Sequence, residues 1–316
     1  MSRILGLCAV ALIASTRMTI AEGADAPPPW PTTLPRYAHI IIVVEENKDY
    51  DQIMGNSAAK YINTLASEGM KFTRFFAEEH HSEGNYFWLF SGSNQNVGFR
   101  DKIPKKQLMT SNLGEQLINH ELSFKGYSEG LPTIGSKVEI APPYARKHVP
   151  WVSFGNLPRG TTPATSPNLR FADFPSDYNK LPTVAFVIPN LDHDMHDGTI
   201  ETGDGWLRQN IGRYYDWAKT NNSLLIVTFD ENSDETEGLT DPAASSDRKQ
   251  NRIVTIFAGA HVKPNYADPD GMTHVNILRT IEAMYGLPKS GAQQPNALRA
   301  GISDDSTAAG VFIPVQ

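Results

Sequence analysis

Short apolar runs alternate with longer amphipathic stretches along most of the chain. "YAHIIIVVE", residues 37–45, is apolar at every position from Ile40 to Val44, the pattern of a strand covered on both faces. "PTVAFVIP" (182–189), "SLLIVTFDE" (223–231) and "RIVTIFAG" (252–259) read the same way, and "SFKGYSEG" (123–130) reads as a shorter strand closed by Gly130. Between them, "SAAKYINTLASEGM" (57–70) places Ile62, Leu65 and Ala66 on one side of a helix. "LGEQLINHEL" (113–122), "GWLRQNIGRYYDWAKT" (205–220) and "THVNILRTIEAMYG" (273–286) are helical by the same spacing. Residues from about 131 to 180 are rich in Pro, Gly, Ser and Thr and read as loop or insertion. Strand and helix in alternation predict an α/β fold with a mostly parallel central sheet and helices on both faces. No internal repeat or mid-chain linker divides it, so residues 36–316 are expected to form one domain.

The first residues follow a different pattern. Arg3 precedes the apolar run "ILGLCAVALIA", and small residues end at "EGADA", which together read as an export signal over residues 1–26. The run is too short to span a bilayer, so no transmembrane segment is expected in the mature chain. A secreted or periplasmic location is expected instead. Cys8, the only cysteine, lies inside this segment. "APPPWPTTLP" then forms an extended lead-in. A formal net charge of -7 over 316 residues provides no general basic surface, and no nucleic-acid partner is expected.

In parallel sheets ligands bind beyond the carboxyl ends of strands. Glu46 and Asn47 stand where the first strand runs out, and Asp230 and Glu231 where "LLIVTFDEN" runs out. One acidic residue at a strand end is ordinarily a helix cap or a solvated loop residue. Two groups at matching strand ends make a hard oxygen set suited to a divalent cation: Mg, Mn or Ca by the oxygens, Zn or Fe if histidines join. In "AEEHHSEGNYFWLFSGSN" (77–94), Ser82 precedes Asn85 by three residues at a helix opening. That serine is either an N-cap or a nucleophile facing the helix amides, with Asn85 as a phosphate donor. "IPNLDHDMHDG" (188–198) holds His193, Asp194, His196 and Asp197, and His274 opens the last helix either as a cap or as a site residue.

Five pieces, "VVEENKDYDQIMG", "HHSEGNYFWLFSGS", "LPTVAFVIPNLDHDMHDG", "IVTFDEN" and "THVNILRTIEAMYGLP", together resemble the bacterial phosphoesterases that include acid phosphatases and phospholipases C, relatives of alkaline phosphatase. The resemblance implies an alkaline phosphatase-like fold and a divalent metal ion held by Glu46, Asn47, Asp230 and Glu231. It implies catalytic roles for Ser82, His196 and His274, with Asn85, His81, His148 and His193 binding substrate. The better-studied acid phosphatase branch carries two aspartates where this chain has Asp230 and Glu231, and the smaller acid phosphatases usually read "HPSxPNY" where it has "HHSEGNY". The function implied is an acid phosphatase acting on a small phosphorylated substrate through phosphoserine. Phospholipase C action on a phospholipid headgroup is the alternative, with Phe87, Trp88 and Trp151 as candidates for a lipid-facing mouth. A sulfatase would need a "C/S-x-P-x-R" sequence, which is missing before this helix. A secreted protein that holds phosphate or metal without turnover is the remaining class, and retention of Ser82 argues against it.

Overall fold

Six of the seven residues of β1 (His39–Glu45) are buried, as a run without polar alternation requires. The computed structural model describes residues 33–97, 101–233, 251–291 and 302–314; the expected export signal, residues 1–26, lies outside them. Further strands are β2 (Met70–Phe76), β3 (Phe124–Ser128), β4 (Ile140–Ala141), β5 (Tyr144–Ala145), β6 (Asn168–Arg170), β7 (Val184–Ile188), β8 (Ser223–Phe229), β9 (Thr255–Gly259) and β10 (Tyr266–Thr273). The α-helices are α1 (Tyr50–Ile53), α2 (Lys60–Glu68), α3 (Ser82–Ser91), α4 (Leu113–Asn119), α5 (Ile200–Ala218) and α6 (His274–Tyr285). No helix among the described residues is long and apolar enough to cross a membrane.

The main sheet has the order β10-β2-β9-β8-β1-β7-β3-β6. Central β1 pairs in parallel with β7 and β8, Ile42 lying opposite Phe186 on one side and Ile226 on the other. β9 runs antiparallel to both its neighbours, β2 and β8. The fold is therefore α/β with a mostly parallel sheet. Helix α2 packs on α5, and α3 packs on α6.

Two edge strands hide from a periodicity search. β10 contains Asp268, Pro269, Asp270 and Gly271, and its pairing with β2 slips between Asp268 and Gly271. Proline and an irregular register are tolerated at a sheet edge, where the ladder is one-sided. β6 lies inside the stretch expected to be loop, so residues 131–180 contribute the opposite edge as well as turns. β2, "MKFTRFF", carries Lys71, Thr73 and Arg74 among its apolar residues, which breaks both the continuous and the alternating pattern.

The 146–154 turns reach the sheet because β3 offers Gly126. A Cβ there would lie 2.1 Å from the Trp151 ring, and the Trp151 indole N–H donates to Asn168 Oδ1 at 3.0 Å. Trp151 is 1% exposed, Trp88 2% and Phe87 0%. All three are core, which removes them from any lipid-facing mouth.

Candidate active site at the carboxyl edge of the sheet

The ends of β1, β7, β8 and β2 deliver their following residues to one edge. The ends are laced together: Asp230 N–H donates to the Glu45 carbonyl at 2.9 Å, and Glu46 N–H to the Asp194 carbonyl at 2.7 Å. Asn47 turns the chain with φ 49°, a left-handed conformation that asparagine tolerates. Its N–H donates to Asp230 Oδ1 at 3.0 Å, which also accepts from Glu231 N–H at 2.6 Å. The β7 loop is folded by two side-chain turns, Asn190 Oδ1 accepting from Asp192 and His193 N–H, and Asp194 Oδ1 from His196 N–H. Between them Met195 is buried at φ 78°, and its carbonyl accepts from Lys48 Nζ at 2.8 Å. Left-handed backbone at a bulky buried residue is strain held by its surroundings, here beside Asp194.

Ser82 opens α3 and is buried. Its hydroxyl sits between two carboxylates, 3.1 Å from Glu46 Oε2 and 3.2 Å from Glu231 Oε1. Glu46 Oε1 accepts from the Tyr86 hydroxyl at 2.6 Å and lies 3.2 Å from His148 Nε2. His148 stacks on Tyr86 with ring centroids 5.1 Å apart, and its Nδ1 is 3.6 Å from Asp194 Oδ2. His80 Nδ1 lies 2.6 Å from Glu231 Oε2. Glycine at 84 leaves room for the Glu79 carboxylate, which a Cβ would displace, standing 1.9 Å from Oε1.

Three expected roles change in this geometry. Asn85 does not face Ser82; its Oδ1 accepts from Glu78 and Glu79 N–H at 3.1 Å each, and its Nδ2 donates to the Glu79 carbonyl at 2.6 Å. Asn85 Oδ1 and one Nδ2 hydrogen serve the turn before α3, so Asn85 positions the helix. His193 pairs with Glu129 at 2.8 Å and stacks on Trp206, and none of these partners belongs to the Ser82 group. His274 is buried with both nitrogens engaged, Nδ1 at 2.7 Å from Glu78 Oε2 and Nε2 at 2.8 Å from the Phe229 carbonyl. It has no nitrogen left to protonate a leaving group. His196 is different: it is part exposed, its ring lies 6.3 Å from that of His148, and Nδ1 rests on Asp197 Oδ1 at 2.7 Å. His81 caps α3 half-buried.

Burial raises the pKa of Glu46, Asp194, Asp230 and Glu231 above the usual carboxylate range, and mutual repulsion adds to it for Glu46, Asp194 and Glu231. Burial drives His148 down and keeps it neutral. Asn47 Oδ1 and Asp230 Oδ2 are sealed from solvent without a hydrogen-bond donor among the described residues. Glu46, His148 and Asp194 each offer a ligand atom within 4.8 Å of the others. Buried oxygens that lack donors, a neutral imidazole and carboxylates driven toward protonation fit a divalent cation. The residues could hold such an ion. Sequence reasoning had placed His148 on the substrate side and had marked Asp194 only as one of four possible ligands in its loop. His80 and Tyr86 had carried no distinguishing signal, since each looks like an ordinary neighbour of the serine.

For His274, burial opposes protonation, but the Glu78 carboxylate and the Phe229 carbonyl outweigh it and raise the pKa. A histidine raised on folding adds stability that is complete below the unfolded value near ~6.5 and is lost as pH climbs through the folded value. His274→Gln is expected to cost about 3 kcal/mol at pH 5.5, because the buried Glu78 carboxylate loses the imidazole beside it. Thermal melts from pH 5 to 8 check this: the gap to wild type should narrow at the alkaline end.

Glu83 gives the same sign by another route, since burial favours its neutral form. Burial, then repulsion from Asp101, raise its pKa to about 8. The folded state then binds the extra proton between the unfolded value and about 8, so stability falls as pH rises across that window. Glu83→Gln should flatten the decline, gaining on the order of a few kcal/mol at pH 8. Melts in chelator, at pH 5 and pH 8, provide the comparison.

The sequence profile of the Phosphoesterase family matches residues 56–288. A protein of Mycobacterium tuberculosis named phosphatidylinositol-3-phosphatase is 42% identical over 290 residues, covering 91% of this chain and 89% of that one. The chain belongs to the Phosphoesterase family. It is accordingly a hydrolase of phosphoric esters. A probable acid phosphatase of Kluyveromyces lactis is 27% identical over 83% of this chain, which spans 61% of that protein's length. Among solved structures, a protein of the alkaline phosphatase superfamily from Vibrio parahaemolyticus superposes with TM-score 0.55 at 14% identity, over 87% of this phosphoesterase and 74% of that chain. That likeness extends to the fold, and the carboxyl-edge site of this phosphoesterase rests on its own residues.

Proposed function

We propose that the protein is an exported, metal-dependent phosphomonoesterase that acts through a phosphoserine at Ser82. The observation that carries this reading is the Ser82 hydroxyl held 3.1 Å and 3.2 Å from carboxylates supplied by two different strand ends. Either carboxylate can take the hydroxyl proton as Oγ attacks phosphorus in line. Apart from Glu83 N–H, which donates to Asp101, the amides that open α3 can meet the oxygens of the attacked phosphoryl group, as helix N-termini do for anions. A divalent cation bound to Glu46, His148 and Asp194 would supply positive charge against the phosphate oxygens. His196, part exposed beside His148, protonates the leaving alkoxide, and Asp197 orients its ring. A water molecule, giving a proton to the now neutral His196, then attacks the phosphoserine, and the carboxylate that took the serine proton returns it to Oγ as the P–O bond breaks. The name of the 42% identical relative favours a phosphorylated inositol lipid as the monoester.

Turnover of p-nitrophenyl phosphate by the purified protein, before and after chelation, tests the reading, with bis-p-nitrophenyl phosphate as the diester. Monoester hydrolysis that falls at least a hundredfold on chelation and returns with added metal is expected, on the order of a ligand-shell loss. Preference for the diester would transfer the assignment to phospholipase C chemistry.

A further inference from the structure

Beside the site lies a face whose sign opposes that of the whole chain. Asp101 links it to the catalytic helix, accepting from Glu83 N–H at 3.1 Å and from Lys147 Nζ at 2.7 Å, next to His148. From Asp101 the segment runs through Lys102, Lys105 and Lys106 to Leu108, which exchanges backbone hydrogen bonds with Ser153 (2.9 Å) and Gly155 (2.7 Å). Arg146 joins the neighbouring turn, donating to the Lys137 carbonyl at 3.2 Å and to Ser153 Oγ at 3.4 Å. Lys102, Lys105, Lys106, Lys137 and Arg159 form no ion pair among the described residues, and Asp101 is already neutralised by Lys147. The chain as a whole carries -7.

The same face carries the most exposed large apolar side chains among the described residues, Met109 at 68% and Ile140 at 69%. Ile140 is carried by the β4–β5 hairpin. Between Lys137 and Arg159 opens a cavity of about 210 Å³ whose walls include Val152, Leu157 and Pro158. Unpaired cations interleaved with exposed apolar side chains, and a cavity with an apolar wall and a cationic rim, require a partner that is anionic and apolar at once. An acidic polypeptide would leave Met109 and Ile140 in water, and an apolar partner would strand the lysines. The interface of an anionic bilayer satisfies both, and lysines near such a surface add binding energy one by one.

We propose that this face docks the protein on an anionic lipid surface, so that the Ser82 site meets phosphate on lipid headgroups. The choice of substrate rests on the phosphomonoesterase reading, while the docking does not. Flotation of the full protein with phosphatidylcholine vesicles, with and without phosphatidylserine, tests it alongside p-nitrophenyl phosphate turnover. Binding to the anionic vesicles alone is expected, weakening in high salt. The Lys105→Glu/Lys106→Glu variant should bind at least roughly thirtyfold more weakly, from two lost lysine contributions, and Ile140→Ser should also weaken binding. Turnover of the soluble monoester should be unchanged in each variant, which shows that they fold. Equal binding to neutral vesicles, no binding to either, or undiminished binding by the charge-reversed variant overturns the proposal. So does sedimentation showing a dimer that these substitutions dissociate, since the face would then join two copies. Loss of soluble turnover in the wild type would sink the enzyme reading and leave the vesicle result legible.

Discussion

Ser82→Ala is expected to lower monoester turnover by about four orders of magnitude while leaving the melting temperature within a few degrees of wild type. The size follows from the placement of Oγ, the one hydroxyl that bridges Glu46 and Glu231 at the start of α3. With the hydroxyl gone no side chain attacks phosphorus, and only substrate binding and charge stabilisation remain. The stability cost is small, about 1 kcal/mol, since only one hydroxyl hydrogen bond, shared between the two carboxylates, is lost. Steady-state kinetics with p-nitrophenyl phosphate measure the loss, and thermal melts separate it from unfolding. Turnover within tenfold of wild type would remove Ser82 from the mechanism.

Glu46→Gln should trade function for stability. Glu46 meets Ser82, Tyr86 and His148 at once, and burial with nearby Asp230 and Asp194 raises its pKa well above normal. A carboxyl raised on folding destabilises the metal-free protein at every pH above its unfolded value. Glutamine removes that penalty, so the chelated variant should melt higher than the chelated wild type at pH 7. The same change removes a charged ligand, and at least a hundredfold loss of metal affinity and turnover is expected. Added metal should then raise the melting temperature of wild type and leave the variant nearly unmoved, through the linkage of binding to folding. Tyr86→Phe should show a weaker loss of metal affinity and turnover but a lower melting temperature in chelator, because the hydroxyl orients Glu46 and its hydrogen bond favours the Glu46 carboxylate.

What could be read in the chain follows from how local each signal is. β1, β7 and β8 were legible because their burial on both faces writes a continuous apolar run, and their ends located Glu46, Asn47, Asp230 and Glu231. The antiparallel course of β9 was not, since strand direction depends on the connection and leaves no mark on a buried run. Ser82 was located by its helix opening. The histidines were harder. His274 and His148 are each one residue in a segment, and their roles depend on partners 196 positions away at Glu78 and more than 40 away at Asp194 and Glu46. His148 reaches the site only because Gly126 makes room for Trp151 three residues further on. Asn85 misled for a related reason: an asparagine that could meet phosphate is also the right length to close the backbone turn at Glu78 and Glu79.

The central claim is that phosphate passes through Ser82. Partitioning between water and an added alcohol acceptor tests it directly, using p-nitrophenyl phosphate and phenyl phosphate as donors. A shared phosphoserine predicts the same ratio of phosphorylated alcohol to free phosphate from both donors, because the leaving group has departed before the acceptor enters. A ratio that changes with the donor would mean direct attack by water or alcohol on bound substrate, and would contradict the covalent mechanism.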